Sequence, residues 1–203
     1  MSKLEKVEKL NSELGNIDIY LLDQIMKGNY SENDRILDVG CGGGRNMHWF
    51  IKNEYDIHGV DINQRYIDAL RQEYPTLNDN FKNGDLDHLT DLDSSFDHLI
   101  CNAVLHFSKN TEHFYRMFSE LVRVLKSDGT LFVRMTSNIG LEQQVKEIDD
   151  GVFLLPDGSN RFLLTRSIID EILNRFGLSQ LEPTKSVNVS DLRVMTTLIL
   201  IKK

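Results

Sequence analysis

Leu4, Val7, Leu10 and Leu14 recur at the three-to-four-residue spacing of one helical face. After the break at Gly15-Asn16 the signal returns in Tyr20, Leu21, Leu22, Ile25 and Met26, which predicts a second helix. From Arg35 onward short apolar runs alternate with helical periodicity. Ile36-Leu37-Asp38-Val39 predicts a strand, residues 45–53 a helix, Ile57-His58-Gly59-Val60 a strand, and residues 64–74 a helix capped by Asn63. Residues 81–84 and 96–101 read as strands, and Phe114, Phe118, Leu121, Val122 and Leu125 mark one face of a helix over residues 111–126. Asp128-Gly129 predicts a turn into a strand over residues 130–135. Residues 152–155 and 162–164 flank Pro156-Asp157-Gly158-Ser159-Asn160 and suggest a hairpin or a lid. Thr165 can cap a helix reaching Phe176, with Gly177 as its stop, and alternating stretches near residues 178–189 and 193–201 predict a final antiparallel pair.

Strands separated by helices of this length imply parallel pairing through right-handed crossovers. The expected fold class is therefore α/β: a doubly wound, mostly parallel seven-stranded sheet with helices on both faces and its last strand pair antiparallel. The length of 203 residues fits one domain. Within it residues 1–33 supply N-terminal helices, 34–135 a ligand-binding core, 136–164 a lid or substrate insertion, and 165–203 a C-terminal helix and strands.

Composition narrows the partners. A net charge of −8 argues against nucleic acid and against an anionic membrane surface, both of which require concentrated positive charge. The first residues alternate charged and apolar positions, and the apolar stretch 194–201 falls short of the ~20 residues of a membrane helix, so the expectation is a cytoplasmic protein with no membrane association. Two cysteines, Cys41 and Cys101, fit a reducing compartment.

The chemistry concentrates at strand ends. Between the first strand and its helix lies Asp38-Val39-Gly40-Cys41-Gly42-Gly43-Gly44-Arg45-Asn46. A glycine-rich turn of this kind lets backbone approach a ligand without interference from Cβ atoms. The dinucleotide pattern G-x-G-x-x-G would need glycine at Arg45, whereas Gly40, Gly42 and Gly44 give G-x-G-x-G, which disfavours a nicotinamide oxidoreductase. Asp61, 21 positions after Gly40, ends the second strand where a carboxylate can accept both hydroxyls of a ribose. Asp85 follows the third strand.

These segments, together with Phe96-Asp97 and Leu125-Lys126-Ser127-Asp128-Gly129-Thr130-Leu131, resemble the successive motifs of class I S-adenosylmethionine-dependent methyltransferases. Gly44-Arg45-Asn46 is also similar to the tellurite-resistance-type small-molecule branch. The resemblance implies a Rossmann-like methyltransferase fold and S-adenosylmethionine as cofactor, with S-adenosylhomocysteine as product. Asp38 and the backbone of Gly40, Cys41, Gly42 and Gly44, running into Arg45, would face the methionine portion. Asp61 would bind the ribose, Ile62 would pack on the adenine, and Asp85 would accept from the adenine amino group beside Leu86. Asn102 would offer its carbonyl near the methionine ammonium. The function this implies is metal-independent, in-line methyl transfer to a small-molecule acceptor. The alternatives are a non-catalytic cofactor-binding or scaffold protein, or a methyltransferase acting on a protein.

After the fourth strand comes Asn102-Ala103-Val104-Leu105-His106-Phe107, which is not the Asn/Asp-Pro-Pro-Tyr type of amino-methylating relatives. His106 is the candidate proton acceptor. Cys41 and Cys101 read as packing residues, and His113 as a solvated helix residue. Arg134 and Arg161 are candidate anchors for a substrate carboxylate.

Overall fold

A computed structural model describes residues 2–203, and the chain divides into two compact units, one ending at Asp85 and the other beginning at Leu86. In the first, α1 (Lys3–Leu14) starts from a reciprocal cap in which Glu5 N–H donates to Ser2 Oγ and Ser2 N–H to Glu5 Oε2. It buries none of its residues. Asp18 caps α2 (Ile19–Met26), which buries Leu21 and Gln24. Strands β1 (Arg35–Val39), β2 (Asp56–Asp61) and β3 (Phe81–Asn83) pair in parallel in that order. Ile36, Leu37, Ile57 and Phe81 are almost wholly buried, as expected of parallel strands covered on both faces.

Between the strands run α3 (His48–Lys52) and α4 (Gln64–Glu73), the latter capped by Asn63 as its sequence predicts. The helix expected over residues 45–53 is shorter than its periodicity suggests. Gly44 holds a φ of +76°, and the Met47 N–H donates to the Gly44 carbonyl in a three-residue turn, so regular helix begins only at His48.

In the second unit β4 (Phe96–Asn102) is followed by α5 (Thr111–Val124) and β5 (Leu125–Ser137). The predicted turn at Asp128-Gly129 is absorbed into β5 as a bulge: Phe96 pairs with Leu125, but His98 already pairs with Thr130. A Cβ on Gly129 would lie 2.8 Å from the Asp97 carbonyl, a clash only glycine avoids. Next come β6 (Lys146–Asp149), β7 (Val152–Leu154) and β8 (Asn160–Phe162), a separate antiparallel sheet. β7 and β8 form the expected hairpin, while β6 carries no apolar alternation that would announce it. Thr165 caps α6 (Arg166–Phe176) and Gly177 closes it in the left-handed conformation, both as the sequence predicts.

The chain ends with β9 (Leu178–Gln180), β10 (Lys185–Val189) and β11 (Arg193–Lys202). β4 pairs in parallel with β5, and β11 lies antiparallel to β5, β10 and β9. Phe96, Phe114, Phe118, Leu131 and Phe162 are fully buried in this unit. Stacking of Phe114 on Phe162, with centroids 4.7 Å apart, joins the small sheet to α5. Among the described residues no helix is long and apolar enough to cross a membrane.

Candidate functional site

In the first unit the loop over residues 40–47 is fastened on both sides. Gly40 and Cys41 N–H donate to the Val60 carbonyl at 2.7 and 3.1 Å, tying the start of the loop to β2. Asp61, the last residue of β2, accepts from Gly42 N–H through Oδ2 and from Asn63 N–H through Oδ1, each at 2.8 Å. A carboxylate oxygen offers about two acceptor sites, so both retain room for a further donor. Cβ atoms built on Gly42 and Gly43 would meet nothing within 4 Å, which leaves the outer face of the loop open. At Gly44 the opposite holds, for a Cβ would sit 2.7 Å from Leu70 Cδ2 on α4.

Asp38 lies near the end of β1, 1% exposed, and its Oδ2 has no hydrogen-bond partner. Burial pushes its carboxyl up to about 7; Arg45 opposes this and Asp61 adds to it. A buried carboxyl poised near neutrality is unfavourable alone and is suited to a cationic ligand. Burial first, then Asp38 and Asp61, hold the Cys41 thiol far above its ordinary range, which makes it a packing residue. Arg45 is exposed and turns toward the start of α2, with its guanidinium 3.7 Å from Asp18 and 3.5 Å from the Asn16 carbonyl.

Ile62 is 71% exposed just beyond Asp61. The Asn83 amide donates to the Asp61 and Ile62 carbonyls at 3.0 Å each and fixes that backbone. Asp85 is exposed just past β3. The carboxyl ends of three adjacent parallel strands thus carry Asp38, Asp61 and Asp85.

In the second unit Leu86 is buried, and Asn102 ends β4 with its amide nitrogen and oxygen both buried without a partner. Ala103 follows at φ +63°, a left-handed conformation held by its N–H donating to the Arg134 carbonyl at 2.7 Å. The chain then enters a short 3-10 turn, Leu105–Phe107. His106 is buried there with no partner for Nδ1. Burial chiefly, then Arg161 and Arg193, lower its pKa to about 4, so the ring is neutral at pH 7.

A pocket of about 330 Å³ lies against His106 and Ala103. Alternation along β5 puts Arg134 and Thr136 on one face, and alternation along β11 does the same for Arg193 and Met195. Because Met195 pairs with Thr136, all four share that face. β8 delivers Arg161: Leu164 N–H donates to the Thr136 carbonyl at 3.0 Å, and Thr136 Oγ1 to the Phe162 carbonyl at 3.3 Å. The Arg161 guanidinium lies 4.9 Å from the centre of the Phe107 ring.

The two arginines singled out from the sequence therefore line one pocket, together with a third that the sequence reading missed. Arg193 was visible only as the residue two before Met195 on the same strand face. The expected solvated position of His113 is corrected. It is buried, because the chain folds back before α5 and Lys109 N–H donates to His113 Nδ1 at 3.0 Å. Cys101 is buried, as expected.

Residues 37–133 match the methyltransferase-domain family. The ubiquinone biosynthesis O-methyltransferase of Coxiella burnetii is 31% identical over 116 residues, which cover 56% of this chain and 46% of the relative. The chain spans about half the length of that curated relative. A crystal structure of a SAM-dependent methyltransferase from Methanosarcina mazei aligns with TM-score 0.71 and 24% identity, over 88% of this chain and 96% of that one. Magnesium protoporphyrin IX methyltransferase from Synechocystis, solved with bound SAH, aligns with TM-score 0.67 and 19% identity, over 100% and 89%. These structures share the expected mostly parallel α/β fold. Residues 37–133 of this chain thus match a methyltransferase domain, and its fold is that of solved SAM-dependent methyltransferases.

Proposed function

We propose that this chain transfers a methyl group from S-adenosylmethionine to a small-molecule acceptor by in-line displacement. The observation that carries the reading is Asp38, a buried carboxyl with an unpartnered oxygen on the strand that leads into the glycine loop. The donor chemistry fits the group: a carboxylate for positive charge, an open glycine face for close approach, and Asp61 with spare acceptor capacity for hydroxyls. When bound, S-adenosylmethionine supplies an electrophilic methyl on a cationic sulfur that is already a good leaving group, so positioning provides much of the rate without a metal.

Asp38 and the loop from Gly40 to Gly44 hold the methionine end, with Cys41 packing beneath and Arg45 bracing the loop against Asp18. Asp61 takes the ribose, Ile62 offers an exposed apolar surface to the adenine, and Asp85 accepts from its amino group. Leu86 and Asn102 carry the further cofactor contacts expected of the family pattern. His106, neutral and lining the pocket, accepts a hydrogen bond from the acceptor's nucleophilic O–H, N–H or S–H. Its low basicity suits it to orienting that group more than to removing the proton outright.

Calorimetric titration of the protein with S-adenosylmethionine and with S-adenosylhomocysteine tests the first half, and 1:1 binding of both is expected. Failure of either to bind at millimolar concentration would sink the reading. Formation of S-adenosylhomocysteine with members of an acceptor library separates an enzyme from a protein that only binds the cofactor.

A further inference from the structure

The pocket beside His106 is basic in an acidic chain. In a chain of net charge −8, Arg134, Arg161 and Arg193 line one cavity of about 330 Å³, against a single carboxylate, Asp157. Asp157 Oδ2 lies 3.5 Å from an Arg193 nitrogen. Three guanidinium groups gathered around one cavity repel one another, and an anion placed among them relieves that repulsion. The arginines come from three separate strands, β5, β8 and β11, and not from one basic run.

Leu155, Val189, Met195 and Ala103 add apolar lining, and Thr136 and Ser159 add hydroxyls. A concavity near the lower end of the usual ~300–1,000 Å³ range, with charged and hydroxyl groups converging beside an apolar wall, suits a compact organic molecule. Guanidinium forks pair bidentately with planar carboxylates, and Arg161 is already oriented by its stack on Phe107.

We propose that this pocket binds a small organic acid by its carboxylate, and that the methyl acceptor of this protein is therefore a carboxylate-bearing molecule. The second clause rests on the small-molecule reading given under Proposed function; the first does not. Arg193, exposed at the start of β11, and Arg161, half-buried on β8, supply the forks, and Arg134 supplies charge from β5. His106 lines the same pocket, so the acid's polar remainder meets a neutral imidazole.

The test titrates the full-length protein with benzoate and succinate, with benzamide and succinamide as uncharged matches, and with inorganic phosphate, followed by calorimetry and by amide chemical shifts. We expect the acids to bind at least about tenfold tighter than the amides, as loss of charge-assisted hydrogen bonds implies, and to move resonances of residues around His106. Arg193→Met and Arg161→Met should each weaken the acids about tenfold while leaving the affinity for S-adenosylhomocysteine and the melting temperature near wild type. Arg161→Lys should recover only part of the loss, since a point charge lacks the fork. Equal binding of acids and amides, or undiminished binding in both methionine variants, overturns the proposal. Phosphate that binds as tightly as the acids overturns the carboxylate assignment. If the acids bind but S-adenosylhomocysteine does not, the cofactor reading fails while the anion pocket stands.

Discussion

Asp38 gives the molecule a pH dependence whose sign can be worked out. Its carboxyl is raised from 3.8 in the unfolded chain to about 7 in the folded one, mainly by burial. Between those values the native state holds more protons than the unfolded state, so this residue's contribution to stability is full below about pH 4 and is lost as the pH rises through about 7. His106 works the other way. Its pKa falls from 6.5 to about 4, so its contribution is present above 6.5 and is lost on acidification toward 4. The two slopes oppose each other in the mildly acidic range. Asp38→Asn removes one of them and should stabilise the ligand-free protein at pH 8 by on the order of 2–4 kcal/mol, with little change at pH 4, as measured by denaturant unfolding at both values. The same substitution should abolish detectable S-adenosylmethionine binding, because the charge that opposes a sulfonium and an ammonium is gone. A variant that lost stability at pH 8 would show that Asp38 is not a desolvated carboxyl.

At the scale of elements, the glycine loop is a joint between β1, β2 and α4. Gly44→Ala combines a φ of +76° with a Cβ 2.7 Å from Leu70 Cδ2. It should destabilise the fold by roughly 1–3 kcal/mol in urea unfolding and weaken S-adenosylhomocysteine more than tenfold. Gly43→Ala, which meets nothing within 4 Å, should leave stability nearly unchanged and affect binding only. The strands and their mostly parallel pairing were legible because parallel strands bury both faces and read as apolar runs. Asp38, Asp61 and Asp85 stood out because each lies at or beside the end of such a run. Other features were not. The helix after the loop starts late because the turn at Gly44 consumes its first residues, which periodicity cannot register. The Asp128-Gly129 pair looks the same in sequence whether it ends a turn or makes a bulge inside β5, and only the pairing with β4 decides. Arg193 escaped because its role depends on the antiparallel register of β11 on β5, a contact between residues nearly sixty positions apart.

For the whole molecule, ligand binding and stability are one measurement. A ligand that binds only the folded chain stabilises it by about 2.7 kcal/mol at a hundredfold excess over Kd, which for a chain of this size raises Tm by roughly 5–10 °C. S-adenosylhomocysteine should produce that shift in a thermal melt and NADH should not; the reverse result would restore the nucleotide-dependent oxidoreductase that Arg45 argues against. The size of the heat should be informative too. Asp61 already grips Gly42 and Asn63 through both of its oxygens, with Val60 holding Gly40 and Cys41 alongside. The loop is shaped before a ligand arrives, so little conformational entropy remains to be surrendered there on association. The same grip has an evolutionary side: on the proposed assignment of Asp61 to the ribose, the carboxylate cannot be exchanged to alter sugar preference without loosening the loop it fastens. Drift in what this protein recognises is thereby pushed toward the residues around His106, where side chains can change while the backbone of the loop stays as it is.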